Sequence, residues 1–267
     1  MNDPLATHRI KHEPYYRSTA NEVKLFELAH QLRIPMILKG PTGCGKTRFV
    51  EHMAWRLSMP LISVACNDDL TASDLVGRWL LNQDGTYWQD GPLAMAVRHG
   101  AICYLDEVVE ARADTTVVIH PLADSRRVLS IDKINEQLVA HKNFHLVVSF
   151  NPGYQNLTKD MKTSTRQRFA GIEFGFPQAS VETEIVVHES GLEWSLANKV
   201  VAFGESTRRL KGHGLEEGAS TRMLIYAASL MAKGLEPYAA CHMAVVLPIT
   251  DDHDMIEALN LAISASF

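Results

Sequence analysis

Gly40-Pro41-Thr42-Gly43-Cys44-Gly45-Lys46-Thr47 is the stretch on which the fold turns. It fits G-x-x-x-x-G-K-[ST] at every fixed position. The glycines let the main chain bend tightly, so several N–H groups aim at one centre and bind phosphate oxygens. Lys46 can reach β and γ phosphates as a point charge, and the Thr47 hydroxyl can hold Mg²⁺. A chance match in a chain of 267 residues has odds on the order of one in a hundred. The flanks lower those odds: an apolar run over residues 35–39 reads as a buried strand, and a helix is predicted over 46–58.

Outward from this loop the same alternation continues. Strands are predicted at Leu61–Ala65, at 101–105, at His145–Phe150 and, more weakly, at 172–176. Helical stretches separate most of them, and an amphipathic helix is expected over 19–33 after a polar arm. Near-continuous apolar strands alternating with helices predict an α/β fold, a parallel five-stranded sheet sandwiched by helices. Two intervals break the pattern. Residues 76–91 carry an Asp84-Gly85 turn between apolar arms, a hairpin signal, and residues 126–141 read as a second β-rich excursion. Beyond Pro177 the chain turns helical, so the division expected is 1–177 for the α/β domain and 178–267 for a small all-helical domain.

The second predicted strand after the loop ends in Asp106-Glu107. Ligands of a parallel sheet gather at strand C-termini. There Asp106 would hold Mg²⁺ through its water shell, and Glu107 would act as general base on an attacking water. His145–Phe150 runs into Asn151, which could orient that water. Asn151-Pro152-Gly153 is also a good turn in its own right. Arg166 and Arg168 precede the last strand, and either could serve a neighbouring subunit's γ-phosphate. Arg222 follows Ser220-Thr221, the expected N-cap of a helix. A cation is a poor fit at a helix start unless an anion is bound there.

Composition narrows the classes. Hydrophobic residues make up 46% of the chain, and 26 Lys and Arg against 31 Asp and Glu give a net charge of −5. That excludes a mainly disordered chain and argues against a basic nucleic-acid-binding protein. The four cysteines, at 44, 66, 103 and 241, form no CxxC pair and suit a reducing cytosol. His12, His120 and His145 lack metal-ligand spacing. No signal pattern or membrane-length apolar run stands out, so a cytoplasmic protein is expected. Leu80, Leu81, Tyr87 and Trp88 are candidates for a contact surface on the first hairpin, while Trp55 and Trp194 are expected in the core.

In their order, GPTGCGKT, ICYLDE, VVSFNP, STRQRF and GASTR resemble an AAA+ ATPase. The two hairpins make the chain similar to the MoxR branch. The stretches LVGRWLL, WQDGPLAMAVRHG, CYLDEVVEAR and FNPGYQ resemble the CbbQ/NirQ/NorQ group, with phrasing nearer its CbbQ side. The resemblance implies an ATPase with ATP and Mg²⁺ as ligands and a C-terminal helical lid. Lys46 and Thr47 would be the Walker A pair, Asp106 and Glu107 the Walker B pair, Asn151 sensor 1 and Arg222 sensor 2. Arg168, or else Arg166, would be the finger acting across subunits. It further implies a homo-oligomeric ring, usually a hexamer, and a partner with a von Willebrand factor A domain (CbbO-like), without a membrane or nucleic-acid role. The client would be Rubisco, released from inhibitory sugar phosphates; the alternative is maturation of nitric oxide reductase. Two rival readings of the loop are a nucleotide switch with little turnover and a kinase-like transferase.

Overall fold

The computed structural model describes residues 4–83, 85–152 and 161–267. The chain divides into two compact units. One comprises Met1–Gly40 and Lys46–Phe174; the other comprises Pro41–Gly45 and Gly175–Phe267.

The first unit runs α1 (Glu22–Leu32), β1 (Met36–Lys39), α2 (Lys46–Arg56), β2 (Leu61–Ala65), α3 (Ala72–Val76), β3 (Gly77–Asn82), β4 (Gly85–Asp90), α4 (Pro92–His99) and β5 (Ile102–Asp106). It continues with α5 (Ala113–Val117), β6 (Val128–Ile131), β7 (Glu136–Val139), β8 (His145–Phe150), α6 (Thr163–Arg166) and β9 (Ala170–Glu173). Five strands form one sheet in the order β2-β5-β8-β1-β9, and every pairing is parallel. The central strands are largely apolar because both faces are covered: all six residues of β8 are buried, as are Met36, Ile37 and Leu38 of β1. Leu5 of the N-terminal arm is buried in the same core.

The last strand differs from the sequence reading. It lies at Ala170–Glu173, not at 172–176, because its ladder starts with Ala170 opposite Met36 and Gly171 opposite Ile37. The apolar pair Phe174 and Phe176 that attracted the assignment lies past the strand end, and Phe174 packs on Phe49 instead.

β3 and β4 pair antiparallel, with Asn82 opposite Gly85. Gly85 therefore belongs to the strand, and Asp84 lies outside the described residues. β6 and β7 form a second antiparallel pair. Arg98 of α4 holds both. Its Nε donates to Asp90 of β4 at 2.7 Å, while Nη1 and Nη2 donate to the two oxygens of Glu136 of β7 at 2.7 and 2.8 Å. On the first hairpin Leu81, Trp79 and Tyr87 are exposed. Leu80 is half-buried, and Trp88 packs against the core with its Nε1 bonded to Asp90.

The second unit holds α7 (Ala179–Ser190), α8 (Trp194–Arg209), α9 (Thr221–Ala232), α10 (Pro237–Cys241), a π-helical turn at His242–Val246, α11 (Leu247–Ile249) and α12 (His253–Ser266). Its core is separate, built on Val186, Val200, Phe203, Leu224, Val245 and Ile263. Trp194 is not part of it: as the first residue of α8 it projects from the helix end and is 48% exposed. A buried carboxylate organises the entry to α9. Glu182, fully buried, accepts both terminal nitrogens of Arg208 at 2.7 Å and the Thr221 hydroxyl at 2.5 Å. The Arg208 guanidinium lies 3.9 Å above the Phe176 ring and donates Nε–H to the Ala219 carbonyl.

Candidate active site

Strand register explains why distant residues meet. Lys39 is level with Phe150, so the next residues along, Gly40 and Asn151, leave the sheet side by side. Leu105 is level with Val148, which brings Asp106 beside Ser149. All four lie at the C-terminal edge of a parallel sheet, the place where such folds bind ligands.

α2 starts at Lys46 directly after the glycine loop. Gly45 has φ +100°, a conformation that L side chains rarely adopt, and among the described residues other than its chain neighbours no atom lies within 4 Å of where a Cβ would stand. Open space beside a strained glycine at a helix N-terminus is what a bound anion requires. Lys46 is buried, with Nζ 2.8 Å from the Gly40 carbonyl and 2.6 Å from Oδ1 of Asn151. The other side of that amide continues the chain of contacts: Asn151 Nδ2 donates to Oε1 of Glu107 at 3.0 Å. Three residues singled out in the sequence thus form one relay. Glu107 itself has φ 55°, a left-handed turn that swings its carboxylate out of the strand.

Asp106 is held from three sides. Its Oδ1 accepts the Tyr104 hydroxyl at 2.7 Å and the Ser149 hydroxyl at 2.5 Å, and its Oδ2 lies 3.4 Å from the Thr47 hydroxyl. Burial, with the neighbouring Asp106 charge, pushes the Tyr104 phenol well above its ordinary range. Burial likewise lifts the Cys66 thiol to about 12, assisted by the charges of Asp106 and Glu107. Thr47 and Asp106 offer a hydroxyl and a carboxylate, hard oxygen donors of the kind Mg²⁺ takes while keeping most of its waters.

Arg168 donates Nη1 to the Ser164 carbonyl at 2.5 Å. Its charge helps hold the Asp124 carboxyl at about 2, behind the larger effect of the Arg126 hydrogen bond. Arg166 closes α6. Within the second unit, Ser220 caps α9 through the Met223 amide, and Arg222 is exposed. A side chain at Gly43, whose φ is +68°, would strike Ser220 at 2.7 Å and approach Arg222 at 3.4 Å. Pro41, Thr42, Gly43, Cys44 and Gly45 thus belong to the same unit as Arg222. Nothing in the sequence marks out Tyr104 or Ser149, both of which read as ordinary strand residues.

The AAA domain (dynein-related subfamily) model matches residues 35–169. The CbbQ/NirQ/NorQ C-terminal model matches residues 182–266. The chain belongs to the CbbQ/NirQ/NorQ family. It is an AAA+ ATPase of that type, and membership implies nucleotide binding. CbbQ of Hydrogenophilus thermoluteolus is 59% identical, over 97% of each chain. The denitrification regulatory protein NirQ of Pseudomonas aeruginosa is 56% identical over 92% of this chain and 95% of that one. A solved RuvB variant from Thermotoga maritima has a TM-score of 0.53 at 15% identity, over 94% of this chain and 72% of the other, a likeness of fold alone. Among the described residues no helix is long and apolar enough to cross a membrane.

Proposed function

We propose that this chain is a Mg·ATP hydrolase that works as a ring and remodels a client protein. The observation that carries the reading is the Lys46–Asn151–Glu107 relay. It sets a phosphate-seeking ammonium and a candidate base on opposite ends of one amide, at the mouth of the glycine loop. Main-chain amides of residues 40–47 cradle the triphosphate, and Lys46 supports its β and γ oxygens. Asn151 orients a water against Glu107, which takes its proton. Thr47 and Asp106 would hold Mg²⁺, which when bound would supply positive charge to offset that of the phosphates. Arg168 completes the site of the neighbouring protomer, with Arg166 as its alternate. Arg222 reads the nucleotide from the helical domain, residues 178–267, which serves the domain of residues 1–177 as a lid.

For the client we favour Rubisco, acting in the cytoplasm with a CbbO-like partner that carries a von Willebrand factor A domain; the 59% identity to a CbbQ supports this. Maturation of nitric oxide reductase is the second reading, because a NirQ stands at 56%. Calorimetry with Mg·ATP tests the core claim. The wild type takes up Mg·ATP and Lys46→Ala does not, and turnover per protomer rises with assembly. Absence of uptake by folded wild type, or equal turnover by isolated and assembled protomers, refutes it. Capture on Glu107→Gln in ATP, probed with purified Rubisco and with purified nitric oxide reductase, separates the clients.

A further inference from the structure

We propose that Tyr104 and Ser149 are positioning residues that fix which oxygen of Asp106 faces the metal. The inference rests on the Mg·ATP reading above and adds to it two residues that do not themselves touch nucleotide.

The two oxygens of Asp106 are treated unequally. Oδ1 receives two hydroxyl donors, from Tyr104 and Ser149. Oδ2 is turned towards Thr47, 3.4 Å away. A carboxylate oxygen has two lone-pair sites, so two donors occupy Oδ1 fully, and metal-bound water must approach through Oδ2. The direction of donation is fixed by chemistry. The main-chain N–H of Glu107 can only donate, and it points at Ser149 Oγ at 3.0 Å. Ser149 accepts there and turns its single hydrogen to Asp106. One hydroxyl thereby connects both acids: it orients Asp106 and satisfies the amide at the left-handed turn that presents Glu107. Tyr104 and Ser149 are both fully buried, so bulk water does not stand in for either donor. Without them only the long Thr47 contact restrains the carboxylate, and the water shell of Mg²⁺, which tolerates little distortion, loses its fixed acceptor.

The test uses full-length Tyr104→Phe, Ser149→Ala and Ser149→Thr. Affinity for a fluorescent ADP analogue is titrated in EDTA and again in Mg²⁺, and the ratio of the two affinities isolates the metal's share without reference to turnover. Tyr104→Phe and Ser149→Ala cut that ratio about tenfold, as loss of an outer-shell partner does at other metal sites, while affinity in EDTA holds. Ser149→Thr, which keeps the hydroxyl, restores the ratio. A wild-type ratio in both Tyr104→Phe and Ser149→Ala overturns the inference and leaves the Mg·ATP reading standing. A wild type that binds no nucleotide under either condition overturns both. Tyr104→Phe preserves the buried ring, so the measurement stands on it alone should Ser149→Ala fail to fold.

Discussion

The ammonium of Lys46 sits 2.6 Å from the side-chain oxygen of Asn151, although 105 residues separate them in sequence. This contact joins the glycine loop to the tip of β8. It also fixes the amide's orientation: Oδ1 is committed to Lys46, so Nδ2 must face Glu107. The orientation of the candidate base is therefore set from the phosphate side of the site.

Glu107→Gln keeps the size and the Asn151 contact of the side chain but removes the base. Turnover falls by about 10²–10⁴, the usual worth of a general base, while Mg·ATP affinity is retained. Phosphate release and calorimetry on the same preparation check both halves; undiminished release assigns the base elsewhere.

Arg168→Ala and Lys46→Ala subunits are each inactive alone. Mixed, they regain activity, because an intact finger from one can face an intact loop of the other. The measurement is phosphate release against mixing ratio, with a maximum at intermediate ratios. Full activity of Arg168→Ala by itself transfers the role to Arg166.

Arg208→Ala strands the fully buried Glu182 carboxylate. Breaking a buried ion pair from one side costs about 3–5 kcal/mol, read as a lower urea midpoint. Arg208→Met combined with Glu182→Leu recovers part of that loss, since it removes the charge left behind. An Arg208→Ala midpoint equal to wild type contradicts this account.

His145 makes stability depend on pH. Its ring is buried in β8 beside His30 and Phe26, and its Nε2 has no hydrogen-bond partner among the described residues. Burial, then the charges of His30 and Arg127, push its pKa down to about 3. The unfolded chain binds this proton near pH 6.5 and the folded chain does not, so stability is complete above that point and declines as pH falls towards 3. Between pH 7 and pH 5 this one group removes about 2 kcal/mol. Urea denaturation at both pH values shows a smaller difference for His145→Leu than for wild type.

The sheet was legible because strands buried on both faces are nearly continuous apolar runs, and β8 falls where its run does. β9 was not, because its four residues are mixed and the ladder to β1, a long-range contact, sets its limits. The glycine loop, Asp106, Glu107 and Asn151 declared themselves by residue type and spacing. Ser149 and Tyr104 did not: inside an apolar strand a serine or a tyrosine carries no local mark of function, and while Tyr104 shares a face of β5 with Asp106, only the register of β5 against β8 turns Ser149 onto it. Trp194 misled for a related reason, since hydrophobicity says nothing of whether a residue sits at the free end of a helix.

Arg98 has a mechanical consequence. A single guanidinium on α4 grips Asp90 at the root of the first hairpin, where it pairs with Gly77, and Glu136 beside the turn of the second, where it pairs with Ile131. Because Arg98 belongs to α4, displacing either ribbon from that helix ruptures charge-assisted bonds of about 1.5–3 kcal/mol each. The two ribbons thus share one anchor on one helix, and Arg98→Ala would release the root of the first and the turn of the second at a stroke.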